Sequence, residues 1–243
     1  MIPLFLDIET VPEFKTYAEL PELGKEAFNK KFRREIEKLF LPVDQKEVAK
    51  VLEVEMEKIY TANASFHAEF ARIVCVSVGS FIAAVPKDNK PEFIFIKGLI
   101  GTEAEIFEQL FVILDKQRPD ILVAHNGKAF DYPFIGKRLM INGYPLPPIL
   151  NIIGKKPWEV NLDDTMEMWR FTDLKSYTSL ITLCYCLKIE SSKGDLDGSK
   201  VKDAFFDGKI EDIKKYCNLD VLALIRVWRR LKYLAPIEKV QMV

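Results

Sequence analysis

Asp7 and Glu9 stand two residues apart in the apolar run that begins at Ile2. Alternate side chains of a strand share a face, so the two carboxylates point the same way, about 7 Å apart. They project at the carboxyl end of the strand, where open α/β sheets place ligands. Composition alone produces an Asp-x-Glu triplet in a chain of this size, and a strand ending in solvent also accommodates one. Asp131 closes the string from His125 through Asn126 and Phe130, just before a helix with Pro133 in its first turn. A helix cap is the structural alternative there, with Asn126 as a turn residue and Phe130 as a core aromatic. Asp220 is harder to explain structurally, because Leu219 and the run Val221 to Ile225 surround it on a helix apolar nearly all round. A carboxylate in that setting is costly unless paired or metal-bound. Tyr216, four residues earlier, shares its helical face.

The four acids say more as a set. Gathered at one sheet edge, they repel by roughly 4 kcal/mol per pair at 4 Å and an effective dielectric of 20. Divalent cations remove that cost. Mg²⁺ or Mn²⁺ accepts all-oxygen ligation with bound waters, and two such ions about 4 Å apart suit in-line displacement at phosphorus. The two histidines, His67 and His125, are too few for a multi-histidine zinc site. The cysteines at 75, 184, 186 and 217 form no C-x-x-C pair and read as buried free thiols of a reducing compartment.

The elements that must position these residues follow from periodicity. Ile2 to Ile8 reads as a buried strand. From about Pro12 to Ser65 the chain reads as a helical insertion: Phe28, Phe32, Ile36 and Leu39 form a stripe, and Asp44 with Glu47 has the form of a capping box. Lys25 to Phe40, with six basic and three acidic residues, reads as a solvated amphipathic helix. Arg72 to Ile82 and Pro91 to Ile96 read as an antiparallel hairpin turning through Pro86 to Lys90. Thr102 caps a helix carrying Ile106, Leu110 and Ile113, and Ile121 to Ala124 is the next strand. A helix from about Asp131 to Asn142 is closed by Gly143, a weak strand runs from Val160 to Asp163, and helices at about Thr178 to Leu187 and Ile210 to Tyr233 follow. Asp195 to Gly198 lacks the remaining oxygens of a calcium loop and reads as a turn. Helix-joined strands require parallel pairing and the hairpin antiparallel pairing, so the sheet is expected to be mixed.

The chain of 243 residues, 49 % hydrophobic with a net charge of -1, is neither disordered nor a binder that coats nucleic acid through bulk positive charge. The N-terminus has no basic n-region and its apolar run stops at Asp7, so no signal peptide or membrane span is expected, and a cytoplasmic protein with no membrane partner is.

The strings Asp7-Ile8-Glu9-Thr10, Asn126 to Phe130-Asp131 and Tyr216 to Asp220 resemble, in that order, the three exonuclease motifs of the DEDD superfamily in its tyrosine variant. The second motif is closest to the proofreading domains of family-B DNA polymerases. The whole resembles stand-alone bacterial proteins related to that domain, over about residues 1 to 12 and 64 to 235. The histidine variant would carry His where Lys215 stands. The resemblance implies a ribonuclease H-like α/β fold with a mixed five-stranded sheet flanked by helices, a single domain over 1–243 including the insertion at about 12–65. It also implies that Asp7, Glu9 and Asp220 ligate one divalent cation (Mg²⁺ or Mn²⁺) and that Asp131 holds a second, which Asp7 shares. Tyr216 orients the attacking water, and Thr10, Asn126 and Phe130 contact substrate. The expected activity is 3′→5′ hydrolysis of single-stranded nucleic acid, with DNA favoured, to nucleoside 5′-monophosphates. An RNA exonuclease on the same site and a catalytically silent binding module with the same fold remain the alternatives, and protein partners are not legible.

Overall fold

The computed structural model describes residues 1–39, 45–83, 91–173, 175–191, 196–237 and 239–243. In chain order its elements are β1 (Pro3–Pro12), α1 (Glu22–Lys31), α2 (Arg33–Ile36), α3 (Gln45–Asn63), β2 (Ala71–Ala83), β3 (Pro91–Ile100) and α4 (Glu103–Gln117). There follow β4 (Ile121–Ala124), α5 (Asp131–Ile141), β5 (Leu162–Asp164), α6 (Thr165–Arg170), α7 (Leu180–Leu187), α8 (Val201–Phe206), α9 (Ile210–Leu231) and β6 (Val240–Met242). The chain divides into two compact units, Met1–Glu9 with Ile73–Val243, and Thr10–Arg72.

The first unit carries a mixed sheet in the order β5-β4-β1-β2-β3-β6. β1 runs parallel to β4, with Leu4 opposite Leu122, and β4 parallel to β5. β2 and β3 are antiparallel, with Val78 opposite Lys97. The turn expected at Pro86 to Lys90 lies outside the described residues. The sheet has six strands where the sequence predicts five, because β6 adds in parallel to β3. Three residues are too few for periodicity to register. The added strand is held by main-chain bonds that any side chains permit, Ile94 N–H to Lys239 O at 2.8 Å and Val243 N–H to Ile96 O at 2.9 Å.

Core packing explains where α9 lies. Phe5, Ile94, Ile96 and Val123 of the sheet form one buried cluster with Val221, Leu222, Leu224, Ile225 and Trp228. The other flank of α9 meets α7, through Leu183 and Cys184 against Ala223 and Val227. At Gly79 of β2 the helix comes so close that a Cβ would stand 2.7 Å from Val221 Cγ1 and 2.8 Å from Ile225 Cδ1. Ser77 Oγ donates to Asn218 Oδ1 at 2.7 Å and pins the same approach with a buried hydrogen bond.

The expected cap at Thr102 forms as a full capping box with Glu105. α5 ends before Gly143, whose φ of 75° is one that glycine reaches without strain. α6 and α8, six residues each, were not legible in the sequence, being shorter than a reliable periodic window. β1 runs on to Pro12, so Asp7 and Glu9 stand inside a longer strand than expected. Of the cysteines, 75, 184 and 217 are buried thiols, whereas Cys186 is exposed on α7, which corrects the reading that all four are buried. Among the described residues no helix is long and apolar enough to cross a membrane.

The second unit is mostly helical. Leu20, Phe28, Phe32, Met56, Tyr60, Ala64 and Phe70 form its core, with Ile36 packed against them. The Phe28 and Phe32 rings stand 4.4 Å apart, and Tyr60 donates its buried hydroxyl to Phe14 O at 3.0 Å. Residues 28–39 contain no strand, in keeping with the helical stripe read there. Asp44 of the expected capping box lies outside the described residues.

Candidate active site

β1 outlasts its neighbour. β4 stops at Ala124, so beyond Phe5, which pairs with Val123, the outward N–H groups of β1 lack a strand on that side. Asp131 supplies the missing acceptor: its Oδ1 takes the Ile8 N–H at 3.2 Å. This bond draws the first helical residue of α5 against the strand segment that carries Asp7 and Glu9. Asp131 is 4 % exposed, and Phe130 holds the cap position one residue earlier. The carboxylate therefore ties α5 to the strand, and it also accepts from its own main-chain N–H.

The loop between β4 and α5 is tightly specified. Asn126 adopts a left-handed φ of 62°, which Asn tolerates better than most residues. Phe130 N–H returns to Asn126 O at 3.0 Å. A Cβ on Gly127 would stand 2.3 Å from Ala124 Cβ, so only glycine fits there. Asp164, buried at the start of α6, holds this loop from below. Its Oδ1 accepts from Asn126 N at 2.9 Å and Met166 N at 3.0 Å, and its Oδ2 accepts from Lys128 N at 3.1 Å. His125 bonds Thr165 Oγ1 and Thr178 O, both at 2.9 Å, and burial lowers its pKa, so it serves as a neutral structural tie. Phe130 is half-buried, its ring 5.3 Å from that of Phe134.

From the helix side, α9 brings Tyr216 and Asp220, both half-buried. The Tyr216 hydroxyl hydrogen-bonds Asp220, and its pKa is driven strongly upward by burial and then by Asp220, Glu9 and Asp7. Asp7 is raised well above its ordinary value, first by burial and then by Asp220, Asp131 and Glu9. Glu9 is raised likewise by burial, Asp220, Cys75 and Asp131. Burial pushes Asp131 up to about 7. The structure thus brings Asp7, Glu9, Asp131, Asp220 and Tyr216 into one electrostatically coupled group. Asn126 and Phe130 lie on the loop that leads into Asp131. Thr10 belongs to the second unit, where its hydroxyl donates to Ser65 O at 2.8 Å.

Ligand atoms of Asp7, Glu9 and Cys217 all lie within 4.8 Å of one another. A cluster of buried and half-buried carboxylates that raise one another's pKa values carries an electrostatic cost that a hard divalent cation would offset, and its oxygens are the donors such a cation takes. The donor set fits the group. Cys217 and Asp164 were not among the residues that sequence reasoning singled out. For Asp164, the sequence offered an Asp-Thr pair, but the helix it caps is too short to be read as one. For Cys217, the sequence offered only its place between Tyr216 and Asp220.

A mixed α/β sheet flanked by helices, with acids gathered where β1 passes the end of β4, is a ribonuclease H-like exonuclease fold. The family B DNA polymerase of the hyperthermophilic archaeon Pyrobaculum calidifontis matches it with a TM-score of 0.56 at 12 % identity, over 95 % of this chain and 24 % of that one. A DNA polymerase of Pyrococcus glycovorans is 26 % identical over 132 residues, 53 % of this chain and 16 % of that protein. The chain thus spans only a small part of the length of either polymerase. Residues 65–238 match the family described as a predicted 3′–5′ exonuclease related to the exonuclease domain of PolB. The chain belongs to that family. The matched segment includes Asp131, Tyr216 and Asp220 and begins after Asp7 and Glu9.

Proposed function

We propose that this protein is a divalent-cation-dependent 3′→5′ exonuclease that shortens single-stranded DNA from its 3′ end and releases nucleoside 5′-monophosphates. The observation that carries the reading is the coupling of Asp7, Glu9, Asp131 and Asp220, which come from three separate elements and from positions 213 residues apart in the chain. Family membership supports the same activity. The whole chain, insertion included, is taken as one exonuclease domain.

Asp7, Glu9 and Asp220 would hold one cation, and Asp131 together with Asp7 a second. Bound there, such ions lower the pKa of water and offset the charge that develops on a leaving 3′ oxygen. The remaining work falls to the chain. Tyr216 stays a neutral phenol, because burial and the neighbouring acids oppose its ionisation. It donates its proton to Asp220 and keeps its oxygen lone pairs to accept from the attacking water, so it aims the water and is not the base. Asn126, whose main-chain N–H is tied to Asp164, would contact the substrate. Phe130 would stack near the terminal nucleotide, and Thr10 would add a further substrate contact.

DNA is favoured because the second motif and both polymerase relatives point that way. The test uses 5′-labelled single-stranded DNA and RNA of equal sequence with Mg²⁺, Mn²⁺ or EDTA. A ladder that shortens from the 3′ end of DNA only with metal is the expected result. Faster loss of RNA would make the protein an RNA exonuclease, and intact substrates with every metal would leave it a binding module.

A further inference from the structure

Cys217 is fully buried on α9, next to Tyr216 and three residues before Asp220. Its Sγ stands 3.4 Å from Asp7 Oδ2 and 3.5 Å from Asp7 O, so the single thiol proton is shared between the carboxylate and the carbonyl of one residue. Cys75 of β2, also buried, lies within hydrogen-bond reach of the same thiol and competes with Asp7 for its one proton. The charged groups acting on Asp7 are Asp220, Asp131 and Glu9, and all three repel it. In such a field the ionised carboxylate is favoured only by a donor, and Cys217 supplies one.

We propose that Cys217 is a positioning residue: its S–H holds the Asp7 carboxylate by one oxygen and leaves the other available to a divalent cation. The inference rests on the cation-dependent reading given above and adds to it a determinant of cation affinity. Groups that orient a metal ligand set affinity without touching the ion, and their loss typically weakens binding 10- to 100-fold. Asp7 is the ligand assigned to both ions, so its orientation matters more than that of any other acid in the group. A thiol suits the place because it is small and apolar enough for full burial and still carries a weak donor.

The test titrates Mn²⁺ calorimetrically into the metal-free parent and its C217S, C217A and C217V variants. Metal-free melting serves as the folding control, and the Mn²⁺ dependence of 3′ cleavage as a second readout. Serine retains a donor, alanine removes it, and valine removes it while filling the space should alanine fail to fold. C217A and C217V are expected to bind Mn²⁺ roughly 10- to 100-fold more weakly, with most of the parent's kcat recovered at saturating metal and C217S close to the parent. Parent-like binding by C217V, or C217S binding as weakly as C217V, would overturn the role of the hydrogen bond and leave Cys217 a packing residue. A parent that binds no Mn²⁺ defeats the cation-dependent reading and this inference together. A parent that binds Mn²⁺ but spares single-stranded DNA defeats only the substrate assignment, and the calorimetric comparison still decides the role of Cys217.

Discussion

Replacing Asp131 by asparagine separates what its charge costs the fold from what its shape contributes. The amide keeps an oxygen for the Ile8 N–H and nearly the same volume, so packing is preserved and only the ionisable group is lost. Burial raises the Asp131 pKa from 3.8 to about 7. Between these values the folded protein keeps a proton that the unfolded chain has released, so stability falls as pH rises through that window and levels off above it. At about 1.4 kcal/mol for each tenfold change in proton affinity, the rise from 3.8 to about 7 amounts to about 4 kcal/mol at pH 8. In EDTA at pH 8, Asp131→Asn is therefore expected to be more stable than the parent by up to about 4 kcal/mol, and to melt on the order of 10 °C higher. The gain should shrink towards zero as pH falls to 4, where the parent's carboxyl is already protonated. Urea unfolding in EDTA at pH 4, 6 and 8 measures it. A gain that is absent at pH 8, or equally large at pH 4, would refute the view that an unpaired buried charge resides on Asp131.

Asp7→Ala is expected to abolish cleavage while melting no lower than the parent in EDTA. Tyr216→Phe should keep its fold and lose about 10²- to 10⁴-fold in rate on labelled single-stranded DNA with Mn²⁺; parent-like activity of Asp7→Ala would move the nuclease to another site. Gly79→Ala forces a Cβ against Val221 and Ile225 and should cost about 1–3 kcal/mol in urea unfolding. Asp164→Ala removes acceptors from the Asn126 and Lys128 N–H groups, so KM for the oligonucleotide should rise more than kcat falls; an unchanged KM would show that the loop keeps its shape without Asp164.

Much of this molecule is written in local pattern. The period of two puts Asp7 and Glu9 on one face of a strand, and the spacing of four puts Tyr216 and Asp220 on one face of a helix; both relations hold within one element and need no knowledge of the fold. Apolar runs of adequate length located β1 to β4 and the long helix α9, and Thr102 with Glu105 announced a capping box that forms. Length is where legibility failed: β6, α6 and α8 are too short to carry a period, and β6 exists because β3 offers it an edge of unpaired main-chain groups. Sequence also left Asp131 open between a helix cap and a site residue. Only tertiary structure decided that its carboxylate reaches the Ile8 N–H, because that depends on β4 ending before β1 does. The thiol of Cys217 beside Asp7 and the carboxylate of Asp164 beneath Asn126 are of the same kind, contacts across 210 and 38 residues. Such contacts arise from strand register and helix packing, which no window of neighbouring residues encodes.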